Sequence, residues 1–312
     1  MRPAVSGCIS ILVMFVLCFG CGGGSSADPP GAALPGSGTV PLLGHVVLVV
    51  EENHSYSQVI GSSVMPYLNS LVPRAGSATQ YYANLHNSLP NYFELTVGET
   101  IATDDLYTGT VTQDNIVREL TAAGKTWKSY AENLPSPVST GVGVPPYAKD
   151  HNPFAYFSDV LNSSTQAANL VDFTQFSTDL ANGNLPNFSF LLPNNLDNGH
   201  DCPLGLSTCT DNQKLAFIDS WLQTNIDPIL QNPQFQQDGL LIITFDESSI
   251  DDTQLGGGHI PFLVLGPRVR AGSQLSTTFQ HQSTLRLMLE AQGIKTWPGM
   301  AATAPSMAGF FH

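Results

Sequence analysis

Gly239-Leu-Leu-Ile-Ile-Thr-Phe-Asp-Glu247 is a short apolar run that ends in two adjacent carboxylates. Residues 240–244 are all apolar or β-branched, the pattern of a strand buried on both faces. Such a strand delivers Asp246 and Glu247 at its carboxyl end, where open α/β sheets place their chemistry. A polar turn after a strand would account for one isolated Asp-Glu. A second instance weighs against that. Val46-Val-Leu-Val-Val-Glu-Glu-Asn53, near the start of the chain, also finishes in oxygen-bearing side chains. The rest of the chain is read as a frame that brings these two ends together.

Strand and helix alternate around them. A mixed helical stretch is expected over 56–72, broken by Pro66 and stopped by Pro73. The pattern predicts strands at 79–85, 125–130, 187–192 and 259–266. Helices are expected at 90–97, 114–123, 210–230 and 282–291, and a Pro-rich loop over 135–153. Alternation of this kind, with no internal repeat, indicates one α/β domain on a mainly parallel sheet.

Composition narrows the partners. The chain has 312 residues, 42% hydrophobic, enough for one large core with many loops at 28 Gly and 22 Pro. Acids outnumber Lys plus Arg by 25 to 11, for a net charge of −14. Nucleic acid is therefore excluded as a partner, because phosphate backbones are bound by basic clusters absent here. An anionic substrate would need a local cation, which a metal site supplies.

Residues 1–21 read as an export signal. Arg2 is its only charge, and the apolar run 9–19 is short for a membrane span. Gly20-Cys21, followed by Gly and Ser, resembles a lipoprotein cleavage box with Cys21 as the lipidated residue; cleavage by an ordinary signal peptidase is the alternative. The expected location is periplasmic or at the cell surface, with the lipid as the sole membrane anchor. Residues 22–40 read as a flexible linker and 41–312 as the catalytic domain. Cys202 and Cys209, on a polar loop, suit a local disulfide in an oxidising compartment. A zinc knuckle is the weaker alternative, since no second Cys pair accompanies them.

Five short stretches carry ligand-type side chains. Glu51-Glu52-Asn53-His54-Ser55-Tyr56 ends the first strand, and its oxygens suit a hard or borderline divalent ion. His86-Asn-Ser88-Leu-Pro-Asn91-Tyr92 places a hydroxyl at a helix amino terminus, where backbone N–H groups favour an anion; an ordinary helix cap would look the same. Asp197-Asn-Gly-His200-Asp201 packs carboxylate and imidazole within one turn. Asp246-Glu247 is the fourth stretch. Gly256-Gly-Gly-His259 is a flexible loop able to bring an imidazole over a site. Any one of these is ambiguous, but five in a single α/β chain are hard to explain as turns.

Taken in order, these motifs resemble the phosphoesterase family of acid phosphatases and bacterial phospholipases C, within the alkaline phosphatase-like superfamily. The similarity covers residues 44–295. Thr126-Trp-Lys-Ser-Tyr-Ala-Glu132 and Lys149-Asp-His151-Asn-Pro-Phe154 bring it nearer the acid phosphatase branch. The resemblance implies a three-layer α/β/α sandwich with Ser88 as nucleophile. It implies that Glu52, Asn53, Asp246 and Glu247 hold a divalent metal against the Ser88 hydroxyl. Asp197, His200 and His259 match the ligands of a second metal in two-metal relatives. One or two ions are expected, from among Zn, Mg, Mn, Fe and Ca. Asn91 is expected to donate to the phosphoryl oxygens, and His151 and Lys149 to hold a further one; a solvated loop is the plainer account of the last two. Sulfatases need a basic residue four positions after the nucleophile, where this chain has Tyr92.

The expected function is an exported, metal-dependent phosphomonoesterase that acts on a small phosphorylated substrate through a phosphoseryl intermediate. A phosphodiesterase or phospholipase C, taking a phospholipid head group at the same site, is the alternative. A non-catalytic surface lipoprotein is a third reading, weakened because no expected ligand or nucleophile is missing.

Overall fold

A computed structural model describes residues 38–135 and 143–312. The expected export signal, the expected Cys21 lipidation and the expected linker up to residue 37 lie outside the described residues. Residues 38–40 carry no regular secondary structure.

The strands are β1 (His45–Glu51), β2 (Gly76–Ala78), β3 (Trp127–Ala131), β4 (Leu170–Asp172), β5 (Phe188–Leu192), β6 (Gly239–Phe245), β7 (Phe262–Leu265) and β8 (Gln274–Leu275). They form an eight-stranded sheet in the order β4-β3-β5-β1-β6-β7-β2-β8. From β4 to β6 every pairing is parallel; β7 runs antiparallel to both β6 and β2. The two strands singled out in the sequence are direct neighbours, in register from His45 beside Gly239 to Glu51 beside Phe245. Their carboxylates therefore emerge side by side. Every residue of β6, and all of β1 but His45, is buried, as continuous apolar runs in a sheet covered on both faces require.

Helices cover the sheet in packed pairs: Ser88–Thr96 on His281–Ala291, and Pro66–Leu71 on Asp211–Gln231. Pro66–Leu71 has no side-chain cap of its own. Asp219 of the long helix supplies one, accepting from the backbone N–H groups of Tyr67 and Leu68 at 2.9 and 2.8 Å. Two unpaired helix donors are thereby satisfied from a distant part of the chain.

Several boundaries differ from expectation. The strand expected at 79–85 is β2, three residues earlier. Within 79–85 only single bridges form, Tyr81 to Phe279 and Tyr82 to His259. The stretch 56–72 is two short helices, Tyr56–Val59 and Pro66–Leu71, with Pro66 in the first turn, the helical position a proline tolerates. The Gly256–Gly258 run is packed tightly: a Cβ at Gly256 or Gly257 would strike the backbone oxygens of Asn84 and Leu85. Close approach to the chain leading into Ser88 explains these glycines, in place of the flexibility expected of them.

Candidate active site

Glu52 lies just past the end of β1 and is fully buried. Its backbone N–H donates to the Asn198 carbonyl at 3.0 Å, tying it to the loop after β5. The next residue, Asn53, has φ +60°, a left-handed conformation that Asn tolerates better than most side chains. This bend turns the Asn53 amide back, so that Nδ2 donates to Glu52 Oε2 at 3.1 Å and the backbone N–H donates to Asp246 Oδ1, also at 3.1 Å. The Glu247 N–H donates to the same Asp246 oxygen at 2.6 Å.

Ser88 opens a nine-residue helix, following Asn87 at φ +90°. Its hydroxyl donates to Glu52 Oε2 at 3.0 Å and helps to hold down the proton affinity of the Asp246 carboxylate. One helical turn later, on the same face, Tyr92 donates its hydroxyl to Glu52 Oε1 at 2.7 Å. The backbone N–H of Leu89 is capped by Asp105 at 2.9 Å. From the far side, His281 Nε2 donates to the Asp246 carbonyl at 2.7 Å, its Nδ1 facing the Tyr81 hydroxyl at 3.0 Å. Glu247 Oε2 is 3.2 Å from His86 Nδ1, but the angle makes no hydrogen bond, and both atoms are buried without one. His86 is anchored instead through Nε2 to the Asp252 carbonyl at 2.8 Å.

Crowding three carboxylates away from water raises their proton affinity. Burial first, and Asp246 next, push Glu52 well above the usual carboxylate range. Burial pushes Asp246 up to about 6. Burial and then the neighbouring Asp246 push Glu247 up to about 9. Asp246 Oδ2 has no hydrogen-bond partner either. The cluster thus holds more buried carboxylate oxygens than its donors satisfy, with a hydroxyl in its midst.

The other expected residues divide. His151 is brought to the site, with Nδ1 3.5 Å from Glu52 Oε1 and 3.4 Å from Asn198 Nδ2, and its ring stacked on Tyr92. Burial and then His200 push it down to about 3, so at neutral pH it is an uncharged wall. Lys149 Nζ lies 4.3 Å over the Tyr156 ring. Asn91 is fully buried and faces the backbone: Oδ1 accepts from Asn84 and Leu85, and Nδ2 donates to the Leu85 and Asn87 carbonyls. It shapes the loop that presents Ser88, which uses up the amide expected to meet the phosphoryl group. Asp197 binds Asn194, His200 binds Asp201, and His259 is stacked between Tyr56 and Tyr82. No hydrogen bond or ion pair joins these three. Among the described residues, no group of three His, Cys, Asp or Glu side chains stands ready-made to hold an ion. Cys202 and Cys209 are joined by a disulfide.

Tyr92, His86 and His281 were not singled out as site residues. Tyr92 was within reach, since position i+4 after a helical Ser88 shares its face. His281 was not, because the closing helix starts there, one residue before its expected beginning.

Residues 62–295 match the phosphoesterase family model. The chain belongs to the phosphoesterase family. It is 31% identical over 271 residues to a phosphatidylinositol-3-phosphatase of Mycobacterium tuberculosis, covering 85% of this chain and 82% of that protein. An acid phosphatase of Aspergillus fumigatus is 30% identical over 246 residues, 75% of this chain and 51% of that protein. A probable acid phosphatase of Kluyveromyces lactis is 28% identical over 250 residues, with shares of 76% and 55%. The chain spans about half the length of these fungal relatives. Among solved structures, a Vibrio parahaemolyticus protein of the alkaline phosphatase superfamily superposes with TM-score 0.59 at 15% identity, covering 86% of this chain and 72% of its own. The lipoteichoic acid synthase LtaP of Listeria monocytogenes gives 0.60 at 12%, with shares of 84% and 75%. These fix the fold as alkaline phosphatase-like. Family and relatives together make the chain a hydrolase of phosphate esters.

Proposed function

We propose that the chain is an exported, metal-dependent phosphomonoesterase working through a phosphoseryl intermediate. One observation carries this: the Ser88 hydroxyl, on the first turn of its helix, donates to a buried Glu52 that shares its pocket with Asp246 and Glu247. A hydroxyl bonded to a carboxylate at a helix amino terminus is a nucleophile with a proton acceptor and a place for an anion.

The donors suit a divalent cation by their chemistry, and the carboxylates would draw together around it. Buried Asp246 Oδ2 and Glu247 Oε2 lack partners, and all-oxygen donors suit hard or borderline ions. Glu52, Asp246 and Glu247, with Ser88 Oγ and Asn53, would hold it. When bound, a cation supplies positive charge that lowers the Ser88 pKa and offsets phosphoryl charge.

The chain's own groups do the rest. Glu52 Oε2 takes the Ser88 proton as Oγ attacks phosphorus, and the P–O bond to the leaving alcohol breaks as the new one forms. The alcohol departs with that proton. Water then cleaves the phosphoseryl bond, releasing phosphate and returning a proton to Oγ. Tyr92 and Asn53 hold the Glu52 carboxylate in place throughout, and neutral His151 walls the pocket.

The test is turnover of p-nitrophenyl phosphate beside bis-p-nitrophenyl phosphate by the full chain, with and without chelator, and by Ser88→Ala. Chelator-sensitive monoester turnover that falls roughly a thousandfold or more in Ser88→Ala is expected. Preference for the diester would move the chain to the phosphodiesterase side, and Ser88→Ala with full activity would refute the nucleophile. Export with lipid at Cys21 is tested by the mass of the mature chain.

A further inference from the structure

Glu51, one residue before Glu52, is fully buried, and neither of its carboxylate oxygens has a hydrogen-bond partner among the described residues. Neighbouring residues of an extended chain point to opposite faces of a sheet. Glu52 meets Tyr92 on the face covered by the Ser88 helix, so Glu51 turns to the other. A second acid stands level with it. β5 lies between β1 and β3, with Val49 beside Leu191 and Ala131 beside Leu192. Continued to the strand ends, this register sets Glu51 and Glu132 on one face, either side of β5 and two strand spacings apart, roughly 9–10 Å at the backbone. Trp221, on the long helix Asp211–Gln231, donates its indole N–H to Glu132 Oε1 at 2.8 Å. The loop after β5 brings in a third acid. Asn194 donates its backbone N–H to Glu132 Oε2 at 3.0 Å and its Nδ2 to Asp197 Oδ2 at 3.1 Å. Burial first, then Glu132 and Asp197, push Glu51 well above the usual carboxylate range. On the same loop, Asn195 Oδ1 is also buried without a partner.

A buried carboxylate with no donor is costly, and such a group calls for a bound species to account for it. Two further acids beside it call for positive charge. The nearby lysines are engaged elsewhere: Lys128 pairs with Asp179, and Lys214 donates to the His200 carbonyl. An all-oxygen set of this kind suits a hard cation. The three acids are not closed around an ion as they stand and would draw together on binding one. That suits calcium, which accepts irregular oxygen geometry, better than magnesium, which demands a near-regular octahedron. Glu132 and Asp197 are only half-buried, which gives the ion a way in.

We propose that Glu51, Glu132 and Asp197 bind a hard divalent cation of calcium's size, on the face of the sheet opposite Ser88. This ion is distinct from the one proposed for Glu52, Asp246 and Glu247, and Asp197 serves it together with the two glutamates, not with His200 and His259. It ties the end of β1 to the loop after β5. That loop already holds Glu52 through the Asn198 carbonyl, so the ion steadies the carboxylate bonded to Ser88 without touching substrate. The test takes the full chain, stripped with chelator, and titrates it with Ca2+ or terbium(III). Trp221, bonded to Glu132, is placed to sensitise terbium emission under tryptophan-selective excitation, and Ca2+ should displace that signal. Glu51→Gln keeps the side chain's shape and removes its charge; Asp197→Asn does the same at a half-buried position. Each is expected to weaken binding on the order of tenfold or more. In chelator Glu51→Gln should melt no lower than the unaltered chain, since it removes an unpaired buried carboxylate. With Ca2+ it should lose the gain in Tm that the unaltered chain shows. Asp246→Asn, changed on the other face, should keep the tryptophan-sensitised signal. No sensitised emission from the unaltered chain, or an equal emission and Tm gain in both Glu51→Gln and Asp197→Asn, overturns the proposal. Loss of the signal in Asp246→Asn alone assigns the ion to the Ser88 pocket and overturns it too. None of these readouts involves turnover, so the outcome is independent of the phosphomonoesterase reading.

Discussion

Tyr92→Phe removes one oxygen from the buried wall of the site and leaves the ring. The ring stacks on His151 at 5.4 Å and meets Phe190 edge-on at 6.2 Å, contacts that phenylalanine keeps. What is lost is the 2.7 Å bond from the hydroxyl to Glu52 Oε1. Burial holds the Tyr92 phenol well above its ordinary pKa, so it stays a donor at every pH of assay, and this donation favours the ionised form of Glu52 against burial and Asp246. A hydrogen bond to a charged group contributes about 1.5–3 kcal/mol; at about 1.36 kcal/mol per pH unit that is roughly one to two units. Asn53 and Ser88 also donate to Glu52, which favours the lower figure. In the proposed mechanism Glu52 must be ionised to take the serine proton, so without Tyr92 its pKa rises and the acid limb of kcat/KM should move up by about one unit. Below the limb the variant should lose roughly tenfold, and above it recover most of its activity. The assay is p-nitrophenyl phosphate hydrolysis across pH, beside a thermal melt. An acid limb at the wild-type pH, with stability alone reduced, would refute the role given to Glu52.

Three further outcomes are expected. Asp246, raised from 3.8 to about 6, and Glu247, raised from 4.5 to about 9, keep protons that the unfolded chain gives up. In the metal-free protein the stability these two groups contribute should be fully present below about pH 4 and be lost as pH rises through about 6 and then 9. Melting curves at several pH values, with chelator and then with added divalent metal, should show the metal raising Tm most at the alkaline end; an equal gain at all pH values would count against the carboxylates as its ligands. Asp219→Ala should cost about 1–3 kcal/mol by uncapping Pro66–Leu71, seen as a lower denaturant midpoint at unchanged kcat/KM; an unaltered midpoint would dismiss the cap. Cys202→Ser/Cys209→Ser opens a short loop and should lower stability by about 2–3 kcal/mol or less, and loss of catalysis on p-nitrophenyl phosphate would show that the loop shapes the site more than its position indicates.

The two buried strands and their carboxylates were legible because a continuous apolar run of strand length has few other uses, and the acids close it. The parallel core followed from alternation. Less legible were β4 and the helix Thr174–Ala181, where a three-residue strand and a mixed polar helix carry too little periodicity. Ser88, Glu52, Asn53, Asp246 and Glu247, picked out by motif order, are brought into one hydrogen-bonded cluster. Motif order does not fix which way a side chain faces. Asn91 sits one turn from Ser88 and turns its amide to the backbone, while Tyr92 beside it turns to the Glu52 carboxylate. Asp197, His200 and His259 each found a nearer partner in the folded chain, which spacing along the sequence does not reveal.

The pairing of β1 with β6 has a consequence in time. Asn53 and Asp246, joined across the site, are 193 residues apart in sequence. A chain made from its amino terminus displays Ser88 and Glu52 long before Asp246 and Glu247 exist. Closing so long a loop comes late, because its entropy must be met before the contact rewards it. Until then the serine has only part of its pocket. A partly synthesised or truncated chain is expected to be catalytically silent, and hydrolysis should begin when the sixth strand docks.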